Sequence, residues 1–506
     1  MVAHITSVAP IGFEGSVIDV ESDAKKGLPT IQIVGMGNKA IDEAKERVRS
    51  AISNSLLEFP SKKITINLAP AELPKDGAHF DLPIALSILV SSGQLRQQEV
   101  DKAVYAGELA LDGTLRPIKG SINIAETAKN AGYERVYLPQ SNAEQACLIE
   151  GIEIIGISTL KELFLHLKKE ITIEPYIVSA IAKMHSDYSG PKLDDIHGQD
   201  TAKRALTIAT AGRHNILLNG PPGAGKTMLA KTLIGLLPDL TPLEKIATTK
   251  LHSIAGEVDG EIITHRPFRS PHHTSSRIAL TGGGTKPKPG EISLAHLGVL
   301  FLDELPEYAR GTLEALRQPL EDKEISIARA GGRITYPADF MLVATMNPCP
   351  CGHYGDPAKE CSCTSTQLLS YQKRLSGPLL DRIDMIVNVS RISNDSLISI
   401  NMLNYSQHFD AIKSITSATK MQSTRYNRSD KYNSSLSSKE VSRHLILSSD
   451  VRALLLAATE KLGLSARSYF KTIKVARTIA DLDGDEDILT RHISEALQYR
   501  ANISQS

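Results

Sequence analysis

Tryptophan is absent from the chain, and aromatic residues make up only 5% of it. Proteins that hold single strands by stacking bases need exposed rings, so this composition argues against that mode of binding. No apolar run approaches the ~20 residues that span a bilayer as a helix, which excludes a helical membrane anchor. Residues 1–10 show no basic segment leading into an apolar core, so no secretory signal is visible and a cytoplasmic protein with no membrane partner is expected. Excess charge of either sign is also lacking. Lys+Arg and Asp+Glu both number 57. A surface that coats polyanions generally is therefore excluded, and contact with nucleic acid has to come from a local patch. What remains is a globular composition, 41% hydrophobic and 23% charged, in 506 residues with room for about three domains.

The most specific feature is Gly220-Pro221-Pro222-Gly223-Ala224-Gly225-Lys226-Thr227. An apolar run at 216–218 precedes it and a helical pattern at 228–237 follows. Strand, glycine-rich loop and helix is what phosphate binding requires. The glycines let backbone amides approach the phosphates, and the helix N-terminus favours negative charge. Lys226 is placed to reach the β- and γ-phosphates of ATP, and the Thr227 hydroxyl to bind Mg²⁺. Residues 299–304 form a second apolar strand, which ends in Asp303 and Glu304. A strand buried on both faces of a parallel sheet delivers such carboxylates to the edge where phosphates sit. Asp303 suits Mg²⁺, and Glu304 suits the base that polarises the attacking water. A third strand, 341–346, runs into Asn347, a neutral group placed to orient that water.

Five cysteines are present. Cys147 stands alone and reads as an inert thiol. Cys349, Cys351, Cys361 and Cys363 form two pairs separated by a loop with Gly352, Gly355 and Pro357. Four thiolates can surround Zn²⁺ at about 2.3 Å, and a cytoplasmic setting disfavours disulfides. A structural zinc site is expected, with His353 as an alternative to one thiol.

The pattern in residues 1–175 alternates strand (31–34, 64–68) and helix (38–53, 80–91). It breaks between 176 and 192, where Ser189-Gly190-Pro191 reads as a linker. Between Ile262 and Gly290 no acid occurs, while Arg266, Arg269, His272, His273, Arg277, Lys286 and Lys288 do. Residues 324–329 and 333–336 alternate around Gly331-Gly332, the pattern of a hairpin with arginine at its tip. Residues 404–438, rich in Ser, Thr, Asn and Lys, read as mobile. Helical periodicity returns at 445–464, 469–482 and 488–499.

Several longer stretches then carry a resemblance. They are Asn67-Leu68-Ala69-Pro70-Ala71, Phe80-Asp81-Leu82-Pro83-Ile84-Ala85, Arg266-Pro267-Phe268-Arg269-Ser270-Pro271-His272-His273, Pro289-Gly290-Glu291-Ile292-Ser293-Leu294-Ala295-His296 and Val475-Ala476-Arg477-Thr478-Ile479-Ala480-Asp481-Leu482. Over essentially its whole length the chain resembles the magnesium-chelatase-like AAA+ ATPases of the YifB/ComM group. The resemblance implies an α/β chain in three parts: a Lon-protease-like α+β domain at 1–175, a P-loop AAA+ core with a parallel sheet at 188–395, and a helical lid at 396–506. It implies hexamers, and the ComM branch is associated with branch migration of DNA during natural transformation. The segment Gly377-Pro378-Leu379-Leu380-Asp381-Arg382-Ile383-Asp384 looks like the one that carries an arginine finger, so Arg382 would reach a neighbour's γ-phosphate. Ser465-Ala466-Arg467 resembles the second sensor. The two insertions resemble pore-lining hairpins, so Lys286, Lys288, Arg329 and Arg333 would grip the phosphate backbone of single-stranded or branched DNA. Pro74-Lys75-Asp76-Gly77 and Ala106-Gly107-Glu108-Leu109 carry the Lon likeness. There the serine position falls on His79 and the lysine position on Ile122, which implies a scaffold or a docking module for recombination proteins rather than a protease. A chelatase motor that remodels a partner enzyme and an ATP-gated assembly scaffold are the alternative readings.

Overall fold

The computed structural model describes residues 2–34, 39–73, 75, 77–177, 190–258, 260–284, 288–329, 332–356, 359–391 and 406–500. The expected linker falls almost wholly outside these, as do Lys286, Pro74 and Asp76.

The N-terminal part is built on a mixed seven-stranded sheet. Its order is Thr30–Val34, Lys63–Ala69, Glu14–Lys25, Val2–Ile11, Ala103–Tyr105, Arg135–Pro139 and Glu153–Ile157. Strand Lys63–Ala69 shows why it forms. Ile64, Ile66 and Leu68 are buried, while Thr65 and Asn67 between them are only partly covered. Helix Asp81–Ser92 is different, because residues 81 to 90 are all buried. A carboxylate inside that helix needs a partner. Asp81 accepts Arg47 Nε at 2.7 Å, Arg47 Nη2 at 3.0 Å and the Leu109 amide at 3.3 Å. Burial still pushes its carboxyl up to about 6, against the pull of Arg47. Arg47→Met should therefore strand a buried charge and lower stability by about 3 kcal/mol, read by chemical denaturation.

The second sheet is five-stranded and entirely parallel, in the order Phe268–Arg269, Val299–Leu302, Met341–Met346, Ile216–Asn219 and Met385–Asn388. Its inner strands are buried at every position, as apolar runs covered on both faces must be. The hairpin expected around residues 331 and 332 is present as Glu324–Arg329 paired with Gly332–Pro337.

The two parts are joined along helix Pro242–Ala255. Lys250, buried to 4% exposure, pairs with Glu126 and lies 4.2 Å over the Phe13 ring. The Gly120 amide donates to Ser253 Oγ at 3.1 Å, and Gln145 Nε2 donates to Glu261 O at 2.7 Å. Phe13 also packs into the cluster that holds Ile327 and Ile334 of the hairpin. The turn between strands Val2–Ile11 and Glu14–Lys25 thus packs against that hairpin.

The reading of residues 404–438 as mobile is corrected. Residues 404 and 405 lie outside the described residues, but Gln407–Tyr426 is a 20-residue helix and Ser438–His444 another. Ile415 and Ala418 are buried against the core. Polar groups do the rest. Gln422 donates to Ala211 O at 2.9 Å, Asn433 donates to Gln422 Oε1 at 2.9 Å, and Arg425 binds Asp481 at 2.5 Å. Low apolar content misled because buried amides and an ion pair order this segment. The same network explains the stretch 475–482. Arg477 and Asp481 are buried and bonded to each other, and Thr478 meets His214 of the core at 2.8 Å. Among the described residues no helix is long and apolar enough to cross a membrane.

Candidate nucleotide site and cysteine centre

The phosphate-type loop leaves strand Ile216–Asn219 at Gly220, where a Cβ would clash with Val389 O, so only glycine fits. Gly223 and Gly225 hold φ of 77° and 81°, which turns the chain and starts helix Lys226–Thr232. The Lys226 amine donates to Gly220 O at 2.5 Å, Pro221 O at 3.0 Å and Asn347 Oδ1 at 3.0 Å. Burial lowers its pKa, and Asp303 and Glu304 pull it back up. Thr227 Oγ1 lies 3.4 Å from Asp303 Oδ2.

Glu304 carries φ 53° and ψ 54°, a left-handed conformation that costs a non-glycine residue ~1 kcal/mol or more. Its amide donates to Thr345 Oγ1 at 3.0 Å, and that hydroxyl donates to Asp303 Oδ1 at 2.5 Å. Thr345, which sequence reasoning missed, thus ties the Asp303 carboxylate and the Glu304 backbone to the neighbouring strand. Residues 222–228 with Asp303, Glu304, Thr345 and Asn347 line a cavity of about 510 Å³. The donors fit a polyphosphate bound with a hard cation. Loop amides and Lys226 would hold the anion, and the Thr227 hydroxyl and Asp303 carboxylate offer the oxygens Mg²⁺ takes.

Arg382 and Arg467 do not join this lining. Arg382, 9% exposed, donates to Arg317 O at 3.0 Å and Pro378 O at 2.6 Å and pairs with Glu321 at 2.8 Å. Arg467, in the first turn of helix Ala466–Asp483, pairs with the same Glu321 at 2.8 Å. One carboxylate thus gathers both arginines away from the chain's own phosphate loop.

The basic stretch is less free than its composition suggests. Arg266 is buried and bound to Glu244, and Arg269 is bound to Glu257 and Glu291. Those acids lie outside the acid-free window, so the window alone hid them. Lys288 and Arg333 are exposed. Arg333 Nη2 donates to Ser326 Oγ at 2.8 Å. Arg329 ends the first hairpin strand, opposite Gly332. The two insertions pack on each other, since a Cβ on Gly282 would come within 3.1 Å of Ile327 Cδ1.

The four clustered thiols converge. All four sulfurs lie within 4.8 Å of one another, with Cys349–Cys351, Cys351–Cys361 and Cys349–Cys361 at 3.3, 3.5 and 3.7 Å. Tetrahedral thiolates at about 2.3 Å from zinc stand about 3.8 Å apart, so the cluster is close to ready-made. Backbone amides point at the sulfurs: Tyr354 N at Cys349, Cys351 N at Cys363, and Cys363 N at Cys361. His353 instead pairs with Asp356 at 3.1 Å and stands outside the set of four. Cys147 donates to Tyr176 O at 3.2 Å, and burial raises its pKa to about 11, consistent with an inert thiol. In the N-terminal part the His79 ring lies 4.1 Å from that of Phe80, and Ile122 is fully buried.

Family models for the magnesium chelatase subunit ChlI match residues 20–142 and 192–397, and one for the ChlI C-terminal region matches 409–500. The competence protein ComM of Haemophilus influenzae is 44% identical over 508 residues, covering 99% of this chain and 98% of that protein. An uncharacterized protein of Escherichia coli, YifB, is 42% identical over 97% of this chain and 96% of its own length. A magnesium-chelatase 67 kDa subunit of Chlorobaculum parvum is 27% identical over only 30% of this chain and 23% of its own length. With full-length similarity to ComM and YifB and a chelatase-type nucleotide core, the chain belongs to the YifB/ComM family of magnesium-chelatase-like AAA+ ATPases.

Proposed function

We propose that this chain is the subunit of a homo-hexameric ATP-driven motor that moves branched or single-stranded DNA, and that it serves recombination during natural transformation in the cytoplasm. The observation that carries the reading is the division of the site. Lys226, Thr227, Asp303, Glu304 and Asn347 converge on one cavity, while Arg382 and Arg467 are gathered elsewhere by Glu321. A site split in this way is completed by a second copy of the chain. Lys226 and the loop amides hold the phosphates. Mg²⁺, held by Thr227 and Asp303, would neutralise charge on them. The Glu304 carboxylate takes the proton of the attacking water, which Asn347 orients. Arg382 of one subunit meets the γ-phosphate of the next, and Arg467 acts as the second sensor.

Exposed Lys288 and Arg333 on two mutually packed insertions support a grip on backbone phosphates rather than bases. The chelatase-motor alternative shares the family models, but the chelatase 67 kDa subunit matches only 30% of the chain, whereas ComM matches 99% of it. The N-terminal part, read as Lon-like, serves as a scaffold and as a docking module for recombination proteins. Replacing Lys286, Lys288, Arg329 and Arg333 by Ala should weaken DNA binding for every sequence alike. The salt slope should fall by about one unit for each phosphate no longer neutralised, with basal ATPase retained. A binding titration at several salt concentrations beside a junction-migration assay checks this. Parental binding and migration in that variant would remove the pore assignment.

The four cysteines hold a structural zinc ion in this reading. Protein purified without chelators should carry about one zinc per chain. Changing Cys361 and Cys363 to Ser should release it and lower the melting temperature, because metal binding and loop order are coupled.

A further inference from the structure

We propose that the cysteine centre is a metal-held clamp on the phosphate-binding loop, so that nucleotide affinity depends on the ion. The inference rests on the zinc reading and goes beyond it, since a merely structural zinc need not touch the nucleotide site. Three contacts point to it. The first lies at the root of the cysteine loop. Asn347, two residues before Cys349, takes the Lys226 amine at 3.0 Å. The second lies between two of the ligands. The Gly352 amide closes a turn onto Cys349 O at 3.0 Å and sets Gly352, at φ 82°, flat against the phosphate loop. A Cβ there would stand 2.6 Å from Pro222 Cδ and 2.7 Å from Cγ. Gly352 follows Cys351 directly, so the ion that fixes Cys349 and Cys351 fixes what presses on Pro222. The third contact is a brace. Asp356, its side chain 1% exposed, binds His353 at 3.1 Å and Arg391 Nε at 3.4 Å. Arg391 lies two residues beyond Val389, the residue that packs on Gly220.

The loop is rich in glycine and polar groups, and little of its apolar surface is available to order it. The ion therefore does most of that work. Releasing the ion frees Gly352 from Pro222 and loosens amides that must already face the phosphates before nucleotide arrives. Thermodynamic linkage then makes the effect mutual. Whatever factor zinc adds to nucleotide affinity, nucleotide adds to zinc affinity.

The test measures the dissociation constant of a fluorescent ADP analogue on the full-length protein. It is measured as purified, after zinc removal by a chelator under reducing conditions, and after zinc is restored. Affinity should fall about tenfold without zinc and recover with zinc but not with Mg²⁺ alone. ADP should tighten zinc, titrated against a chromophoric chelator, by the same factor. Stoichiometric zinc with unchanged ADP affinity after its removal would overturn the clamp and leave the zinc reading standing. Zinc-free preparations with four freely titrating thiols would overturn both. Gly352→Ala covers the case in which zinc-free protein unfolds. It keeps all four ligands and places a methyl against Pro222. It should hold zinc at parental stoichiometry and bind ADP several-fold more weakly. Parental ADP affinity in that variant would overturn the clamp.

Discussion

Glu304→Gln should bind ATP as tightly as the parent and hydrolyse it at least about a hundredfold more slowly, the scale of a missing general base. The amide keeps the shape of the carboxylate. The bond from the Glu304 amide to Thr345 survives, because it is made by the backbone. What disappears is the group that takes the proton of water. Lys226→Ala should fail at the earlier step. Its amine bridges Gly220, Pro221 and Asn347, so its removal takes away the phosphate's positive partner and unties the loop from the neighbouring strand. Equilibrium nucleotide binding beside steady-state turnover separates the two. Equal turnover in Glu304→Gln and parent would remove Glu304 from the chemistry.

The second large effect belongs to Arg382. Alone, Arg382→Ala should reduce turnover about 10³-fold or more, the scale of an arginine finger. Mixed with inactive Lys226→Ala subunits it should regain activity, because an intact loop can then face an intact finger. Random assortment in a ring makes about a quarter of the interfaces complete at equal mixing. Within one chain Arg382 is paired with Glu321 and two carbonyls. A purely internal role would leave the mixture as inactive as its parts, and subunit exchange followed by an ATPase assay decides between the two.

Much of this was legible in the sequence where the signal is local. The phosphate loop, the hairpin at 324–337 and the paired cysteines each depend on spacing over a few residues, and each folds as the spacing implies. The illegible parts depend on contacts between distant residues. Glu321 reaches Arg382 and Arg467 from separate elements. Arg266 and Arg269 look like free basic residues until Glu244, Glu257 and Glu291 fold against them. Helix Gln407–Tyr426 is ordered by Ala211 and Asp481, which no local window contains. The seating of Phe13 beneath the hairpin joins residues some three hundred positions apart in sequence, so no motif announces it.

The central claim is that hydrolysis at this site is coupled to gripping DNA. ATPase rate, measured with no DNA and with single-stranded, duplex and four-way-junction DNA, and accompanied by particle size, tests it most directly. A ring-sized particle is expected, with turnover that rises with single-stranded or branched DNA. The rise should vanish when Lys286, Lys288, Arg329 and Arg333 are replaced together, while the basal rate stays. Turnover that is the same with every DNA and without any, in a particle of the same size, would contradict it.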